Sequence, residues 1–339
     1  MEGPERPAPG ALSNSDLILV EGMPGAGKST AAQLLALALR GSDRAVRWLY
    51  EEEVDHPLFG FHTPEDVAPL VTELRAGRFD EVVAGAVGRW RELARRLPTS
   101  GVTTIADGCL LGYLTWSLYW ADAPRAAITG YLDEVAGILA SVDSVVVHLR
   151  PEDVAESWRR LDDSRGAGWM RGAIDGVERS PAGRRMGLAG FDGLVRYWAG
   201  FLELADGLLG RLRRRCLVVP VGVGGEDAAQ ARMLELLGVT PRRFGLDRPA
   251  VDHAGRYVGE GGVAIEVGVV EGEDLNVAGL PGAWPRVPLL PIGQDTFALR
   301  SYPWEVRFTF DGEGHATALD IAGAPLLETA APGRFVRAG

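Results

Sequence analysis

The residues Gly22 to Ser29 read "GMPGAGKS" and fit the pattern G-x-x-x-x-G-K-[ST]. The apolar run Leu17–Val20 precedes them, and "AAQLLALALR", helix-forming throughout, follows Thr30. Each residue type has a job in such a loop. Glycine allows backbone conformations closed to other residues, so the chain can wrap an anion closely. Backbone N–H groups and the start of the following helix supply positive potential. Lys28 adds a compact charge for the β and γ phosphates of a nucleoside triphosphate, and Ser29 adds a hydroxyl for Mg²⁺. The expected nucleotide-binding set is therefore Gly22, Pro24, Gly25, Ala26, Gly27, Lys28, Ser29 and Thr30. Lys28 is also the only lysine among 339 residues; every other basic side chain that is not histidine is arginine. On a solvated surface the two cations exchange freely, whereas a planar guanidinium is too broad for the centre of this loop.

Phosphoryl transfer asks for in-line positioning, charge neutralisation and a carboxylate to orient the acceptor hydroxyl. "EEE" at Glu51–Glu53 follows the strand-like run "AVRWLY" (45–50). Glu51 or Glu52 is the expected acceptor base; a solvated acidic turn is the plain alternative. Asp107 closes the apolar run "VTTIAD" and suits a metal role together with Ser29, although an aspartate there could also cap the next helix. Tyr113, Trp116, Tyr119 and Trp120 are spaced to share a helix face, which either belongs to the core or walls a ring-shaped acceptor. Tyr113, Trp116 and His56 are the expected acceptor-binding residues. Between Arg159 and Arg185 the chain is rich in arginine and in glycine, including Gly166, Gly168, Gly172 and Gly176. Such a segment fits a lid that closes over phosphates, or else a solvated helix and loop. His148 has no partners at metal-ligand spacing and reads as a hydrogen-bonded core residue, and Cys109, with no base in view, reads as a small packing residue.

These groups need a scaffold. Apolar runs at 17–20, 45–50, 102–107, 144–149 and 216–221 alternate with helical stretches at about 82–97, 126–140, 152–161, 191–214 and 226–237. That alternation implies an α/β domain with a mainly parallel sheet. After Val239 the texture changes. "VAIEVGVV", "LNVAGL", "WEVRFTF" and "ATALDIAG" alternate with period two and are divided by turn residues. The expected organisation is a disordered tail (1–15), a P-loop domain (16–240, lid about 160–187), a linker (241–252) and a small antiparallel barrel or sandwich (253–339).

Composition agrees with such a chain. Hydrophobic residues make up 46% and charged residues 24%, enough for a real core. A net charge of −11 argues against nucleic acid or an anionic membrane as partner. No stretch reaches the roughly 18 apolar residues of a membrane helix, and no signal-peptide progression is read at the start. With two cysteines, reduced thiols in the cytoplasm are the expected setting.

"VEGMPGAGKST", "YEEEVDHP", "IADG" and "HLRPEDVAESWRRLDDSRG" together resemble the nucleoside and nucleotide kinase group of P-loop folds, notably thymidylate kinase and the deoxynucleoside kinases. The resemblance covers roughly residues 15–240. It implies a three-layer sandwich with a five-stranded parallel sheet in order 2-3-1-4-5. It further implies ATP or GTP with Mg²⁺, transfer of the γ-phosphate to a small acceptor, and lid roles for Arg159 and Arg165. One departure stands out. Thymidylate kinases carry Asp-Arg after the third strand, whereas Asp107 here is followed by Gly108 and Cys109. That disfavours a nucleoside monophosphate acceptor. The C-terminal region, through "GRYVGEGG" and "LLPIGQDTF", resembles the small barrel appended to some serine-hydrolase families. It could shape the acceptor pocket, mediate a homodimer or cover an apolar face. The leading expectation is a kinase acting on a hydroxyl of a nucleoside-like or other ring-bearing compound, natural products and antibiotics included. A nucleoside monophosphate kinase and a regulatory P-loop NTPase with a partner-binding barrel are the alternatives.

Overall fold

The computed structural model describes residues 15–40, 44–165, 168–212, 215–222, 225–240, 245–246, 248–270, 274–327 and 333–338. Nearly all of the expected tail, positions 241–244 and 247 of the expected linker, and Gly166 lie outside the described residues. The chain divides into two compact units.

The first unit is built on five parallel strands: β1 (Leu17–Gly22), β2 (Ala45–Leu49), β3 (Val102–Asp107), β4 (Ser144–Pro151) and β5 (Arg215–Val221), in the order β2-β3-β1-β4-β5. The order implied by the kinase resemblance is the order found. Its cause is visible in β1, which is buried at every position, as a central strand covered on both faces must be. In β2, at the edge, exposed and half-buried positions alternate up to Leu49, which is buried. Gly22 lets β1 and β4 close up, because a Cβ there would stand 2.7 Å from the Leu149 carbonyl.

Among the described residues this unit holds ten α-helices, the sixth of which ends in two residues, Ser164 and Arg165, grouped with the second unit. They are α1 (Lys28–Leu39), α2 (Val67–Arg75), α3 (Phe79–Arg96), α4 (Trp116–Trp120), α5 (Arg125–Ile138), α6 (Val154–Arg165), α7 (Trp169–Arg179), α8 (Pro181–Met186), α9 (Gly190–Leu209) and α10 (Gly225–Leu237). Where a lid is expected, the chain forms α7 and α8. Ser180 caps α8 by accepting the Gly183 N–H at 2.8 Å, and Pro181 opens its first turn. A π-helical turn, Leu110–Thr115, precedes α4. The extra residue per turn breaks the 3.6 period, and the aromatic stripe divides. Tyr113 packs on Phe59, Trp116 and Tyr119 both meet α9, at Trp198 and at Tyr197 and Phe201, and Trp120 lies under Arg75.

The second unit holds the short helix α11 (Ala250–His253) and eight antiparallel strands: β6 (Gly255–Gly259), β7 (Ala264–Val269), β8 (Leu275–Ala278), β9 (Arg286–Gly293), β10 (Thr296–Leu299), β11 (Trp304–Phe310), β12 (Ala316–Gly323) and β13 (Arg334–Arg337). Each pairs with its neighbour in sequence, and β13 returns to β6, which closes a barrel and leaves no free edge. Alternation fills the interior: Ile265 and Val267 of β7 point in while Glu266 is exposed, and Trp304, Val306 and Phe308 of β11 point in. Within this unit His253 is ringed by Phe297, Phe308 and Phe310 at 4.9–5.2 Å, each ring near perpendicular to the imidazole.

Candidate functional site

The site candidates of the first unit gather at the carboxyl ends of β1, β2 and β3. The glycine pattern is explained residue by residue. Gly25 (φ 77°) and Gly27 (φ 82°) are left-handed, and both are pressed by neighbours. A Cβ on Gly25 would meet Leu161 at 3.1 Å and the Ser157 carbonyl at 3.3 Å, so α6 backs the loop directly. A Cβ on Gly27 would meet the Glu226 side chain at 3.1 Å. Gly27 ends the loop as the residue before α1, and its carbonyl accepts the Ala31 N–H at 2.9 Å. Lys28 and Ser29 therefore project from the first helical turn.

Besides Glu226, three carboxylates stand about that turn among the described residues. Glu51, two residues past the end of β2, lies 3.9 Å from Lys28 Nζ, with its side chain one-third exposed. Asp107, the last residue of β3, is fully buried. Its Oδ2 accepts the Ser29 hydroxyl at 2.7 Å and its Oδ1 accepts the Trp48 indole N–H at 2.8 Å. Burial, then the charge of Glu51, pushes the Asp107 carboxyl up to about 7, against the pull of Ser29, Trp48 and Lys28. Glu21, also fully buried, accepts the N–H groups of Leu110 and Leu111 at 2.8 and 2.9 Å and so pins the π-helical turn. Burial pushes its carboxyl to about 7 as well.

The donor set suits Mg²⁺. Ser29 Oγ and Asp107 Oδ2 already converge, and a buried carboxylate held high by desolvation is one that a dication would discharge. Among the described residues no group of three or more His, Cys, Asp or Glu could hold a metal. The ion would therefore draw its remaining oxygens from phosphate and water, as Mg²⁺ commonly does.

The topology, the loop between β1 and α1, and the carboxylate at the end of β3 now decide the fold. The first unit is a P-loop nucleotide-kinase-like fold. No family model matches the chain, and no curated protein matches it. Solved structures similar to it include a thymidylate kinase from Ehrlichia chaffeensis, 14% identical, with 65% of this chain and 97% of that chain covered and a TM-score of 0.36. EHV4-TK complexed with Thy and ADP is 13% identical, with 66% and 89% covered and a TM-score of 0.32. Among the described residues no helix is long and apolar enough to cross a membrane.

The remaining candidates are spread more widely. His56 is buried and stacks on Phe59 at 4.1 Å, and Phe59 meets Tyr113 at 4.3 Å. Leu58 N–H donates to His56 Nδ1, which leaves the ring proton on Nε2, 3.6 Å from Cys109 Sγ. Burial, and secondarily Arg47, pushes His56 down to about 3, so the ring is neutral. Trp116 lies apart from this cluster, against Trp198. Arg159 is exposed, pairs with Glu156 at 3.6 Å and rests on the Phe191 ring. Glu52 and Arg165 belong to the second unit, where the Arg165 guanidinium stands 5.2 Å over the Trp284 ring.

Sequence reasoning did not single out Glu21, Trp48 or Arg89, and it placed Arg160 only among the arginines of the lid segment. Arg89, on α3, donates to the Leu58 carbonyl at 2.6 Å and reaches the Tyr113 hydroxyl at 3.5 Å. Arg160 donates to Ser157 Oγ at 3.2 Å, on the side of α6 that backs Gly25. Helical spacing carried that signal: Ser157 and Leu161 pack on the loop, and Arg160 lies beside them whereas Arg159 turns away.

The burial of Asp107 gives a testable pH effect. An Asp107→Asn protein keeps an acceptor for Trp48 and removes the ionisation. Raised in the fold, the Asp107 carboxyl is protonated at pH 5 and ionised at a desolvation cost at pH 8. Ligand-free Asp107→Asn should therefore melt above the native protein, with a gap that widens from pH 5 to about pH 7, by roughly 1.4 kcal/mol per pH unit at most, and levels off by pH 8. Differencing the two proteins removes the opposing contributions of His56 and His148, whose lowered values are common to both. A gap independent of pH, read by thermal melts in matched buffers, would contradict this.

Proposed function

We propose that the protein is a Mg²⁺- and ATP- or GTP-dependent phosphotransferase that moves the γ-phosphate to a hydroxyl of a small, ring-bearing acceptor in the cytoplasm. One observation supports it above the others: Glu51 stands 3.9 Å from Lys28 Nζ, so a carboxylate faces the cation that would hold the phosphate to be transferred. In this reading the loop amides and Lys28 hold the triphosphate, and Ser29 and Asp107 hold Mg²⁺, which neutralises phosphate charge when bound. Glu51 accepts the proton as the acceptor oxygen bonds to the γ-phosphorus, and the bond to the β–γ bridging oxygen breaks to release the nucleoside diphosphate. Tyr113 and Arg89 would border the acceptor, with Phe61 edge-on to Tyr113 at 5.9 Å, and Arg160 with the arginines of α7 and α8 would close over it.

A hydroxyl acceptor is favoured over a nucleoside monophosphate. Gly108 is left-handed (φ 67°), and a Cβ there would run into the Glu51 carboxylate. The residue after Asp107 therefore carries no side chain, where thymidylate kinases place an arginine for the acceptor phosphate. The test is calorimetry with Mg·ATP and Mg·GTP, then a panel of nucleosides, nucleotides and antibiotics screened for phosphorylated product by mass spectrometry. With the acceptor so found, Glu51→Gln should lower kcat by about 100-fold or more, as loss of a general base does, while Mg·ATP affinity holds or tightens. Full turnover in Glu51→Gln would remove the base assignment.

A further inference from the structure

In the first unit β2 and β3 run in a register that sets Trp48 opposite Ile105. Alternate residues of a strand share a face, so Asp107, two beyond Ile105, stands diagonally across from Trp48 and within reach of a long side chain. The Trp48 indole N–H donates to Asp107 Oδ1 at 2.8 Å. The Ser29 hydroxyl, from the first turn of α1, donates to Oδ2 at 2.7 Å. Each oxygen of this carboxylate thus has its own donor, one from the sheet and one from a helix. Tyr50 meets the Trp48 ring edge-on at 5.5 Å and braces the indole in turn.

We propose that Trp48 is a positioning residue for the metal: its indole N–H fixes the rotation of the Asp107 carboxylate, so that Oδ2 stays beside Ser29 and the dication meets two oxygens already set. The inference rests on the nucleotide reading above and adds to it a residue outside the phosphate loop. Asp107 is fully buried, so bulk water cannot stand in for a lost donor. Without the indole N–H, Oδ1 would be left unpaired, and the carboxylate would turn about its Cβ–Cγ bond to share the Ser29 hydroxyl between both oxygens. Each metal-binding event would then have to reset it, which lowers affinity. The residue type fits the task. An indole N–H is a donor only, and it is neutral. It holds the carboxylate without competing for the ion, and without the repulsion that an arginine or a lysine would set against a dication. A side chain that only filled space at the sheet edge would have no need of that donor.

That distinction supplies the experiment, in the full-length protein. Trp48→Phe keeps an aromatic ring and deletes the donor. Benzothienylalanine at position 48 keeps the two-ring shape and puts sulfur where the N–H stands. Free Mn²⁺, read by its electron paramagnetic resonance signal, reports metal binding to the protein saturated with ADP, and calorimetry with metal-free ADP reports the phosphate loop alone. Both variants should lose about 10- to 100-fold in Mn²⁺ affinity, as loss of the hydrogen-bond partner behind a metal ligand does, with metal-free ADP affinity within about twofold of native. In an Asp107→Asn background either change at position 48 should cost less than about twofold more, because the residue it acts through is already gone. Should Trp48→Phe fail to fold, the benzothienylalanine protein, whose ring shape is native, must give the same split. Native Mn²⁺ affinity in a folded variant overturns the proposal, as do an equal loss of metal-free ADP affinity and losses additive with Asp107→Asn. If the native protein binds ADP neither with nor without Mn²⁺, the nucleotide reading fails and this proposal with it. A native protein that binds both, matched by its variants, removes this proposal alone.

Discussion

Replacing Lys28 by alanine is expected to abolish measurable Mg·ATP binding, and replacing it by arginine is expected to do nearly the same. The alanine result follows from charge. In a turn surrounded by Glu21, Glu51 and Asp107, Lys28 is the cation whose field reaches the two buried carboxylates. Without it, a triphosphate would approach a site of net negative charge with only backbone amides and Mg²⁺ to hold it. A charge-assisted contact to phosphate contributes on the order of 3 kcal/mol, so affinity should fall by roughly 100-fold or more. The arginine result follows from shape. Lys28 is buried to within 8% of full exclusion, and its Cε would lie 3.3 Å from a Cβ at Gly108. A planar guanidinium with five donors does not fit in the space of a single ammonium. Calorimetry with Mg·ATP reads both variants, and a thermal melt confirms that each is folded. Native-like affinity in Lys28→Arg would show that this turn tolerates a broad cation, and would remove the account of why the chain keeps one lysine.

What the sequence made legible, and what it hid, divides along the range of the interactions. The phosphate loop was readable because its requirements are local: two left-handed glycines, an N–H-rich turn and a lysine at the start of a helix follow one another in the chain. The parallel sheet was readable because full burial leaves continuous apolar runs, as in Leu17–Val20 and Val145–Val147. Asp107 was readable because it ends such a run. Glu21 was not, because a carboxylate inside a buried strand has a purpose only once Leu110 and Leu111 are brought to it from about 90 residues away. Trp48 was equally silent, since its partner Asp107 lies 59 positions on. Helical spacing misled at 113–120, where the π-helical turn rotates Tyr113 away from Trp116. In the barrel, β9 was hidden by Pro288 and Pro291, which demote a strand on local grounds but stand here in a ladder interrupted by a bulge beside Thr296. The bridge between Glu53 and Leu326 had no local signal of any kind.

Gly108→Ala should be the most damaging single methyl group in the protein for turnover, while it leaves the fold intact. Gly108 is left-handed (φ 67°), and its N–H donates to the Val20 carbonyl at 3.0 Å, so the backbone there is tied to β1 and does not relax easily. Alanine in that conformation carries a strain of about 1–2 kcal/mol, which a domain of this size can absorb. The new Cβ also enters the space of the Glu51 carboxylate and comes within 3.3 Å of Lys28 Cε. The carboxylate is the far end of a flexible side chain and can swing toward solvent, so the clash is relieved cheaply. Relief of that kind moves the proposed base off the transferring phosphate. Turnover should therefore fall by about 100-fold or more, with Mg·ATP affinity changed by less than about fivefold. A double-mutant cycle separates this route from general damage. If the methyl acts through Glu51, adding Gly108→Ala to Glu51→Gln should cost little further activity, so the two effects will be strongly non-additive. Additive losses would place the harm elsewhere in the turn, and a fully active Gly108→Ala protein would mean that the Glu51 carboxylate does its work from some other position.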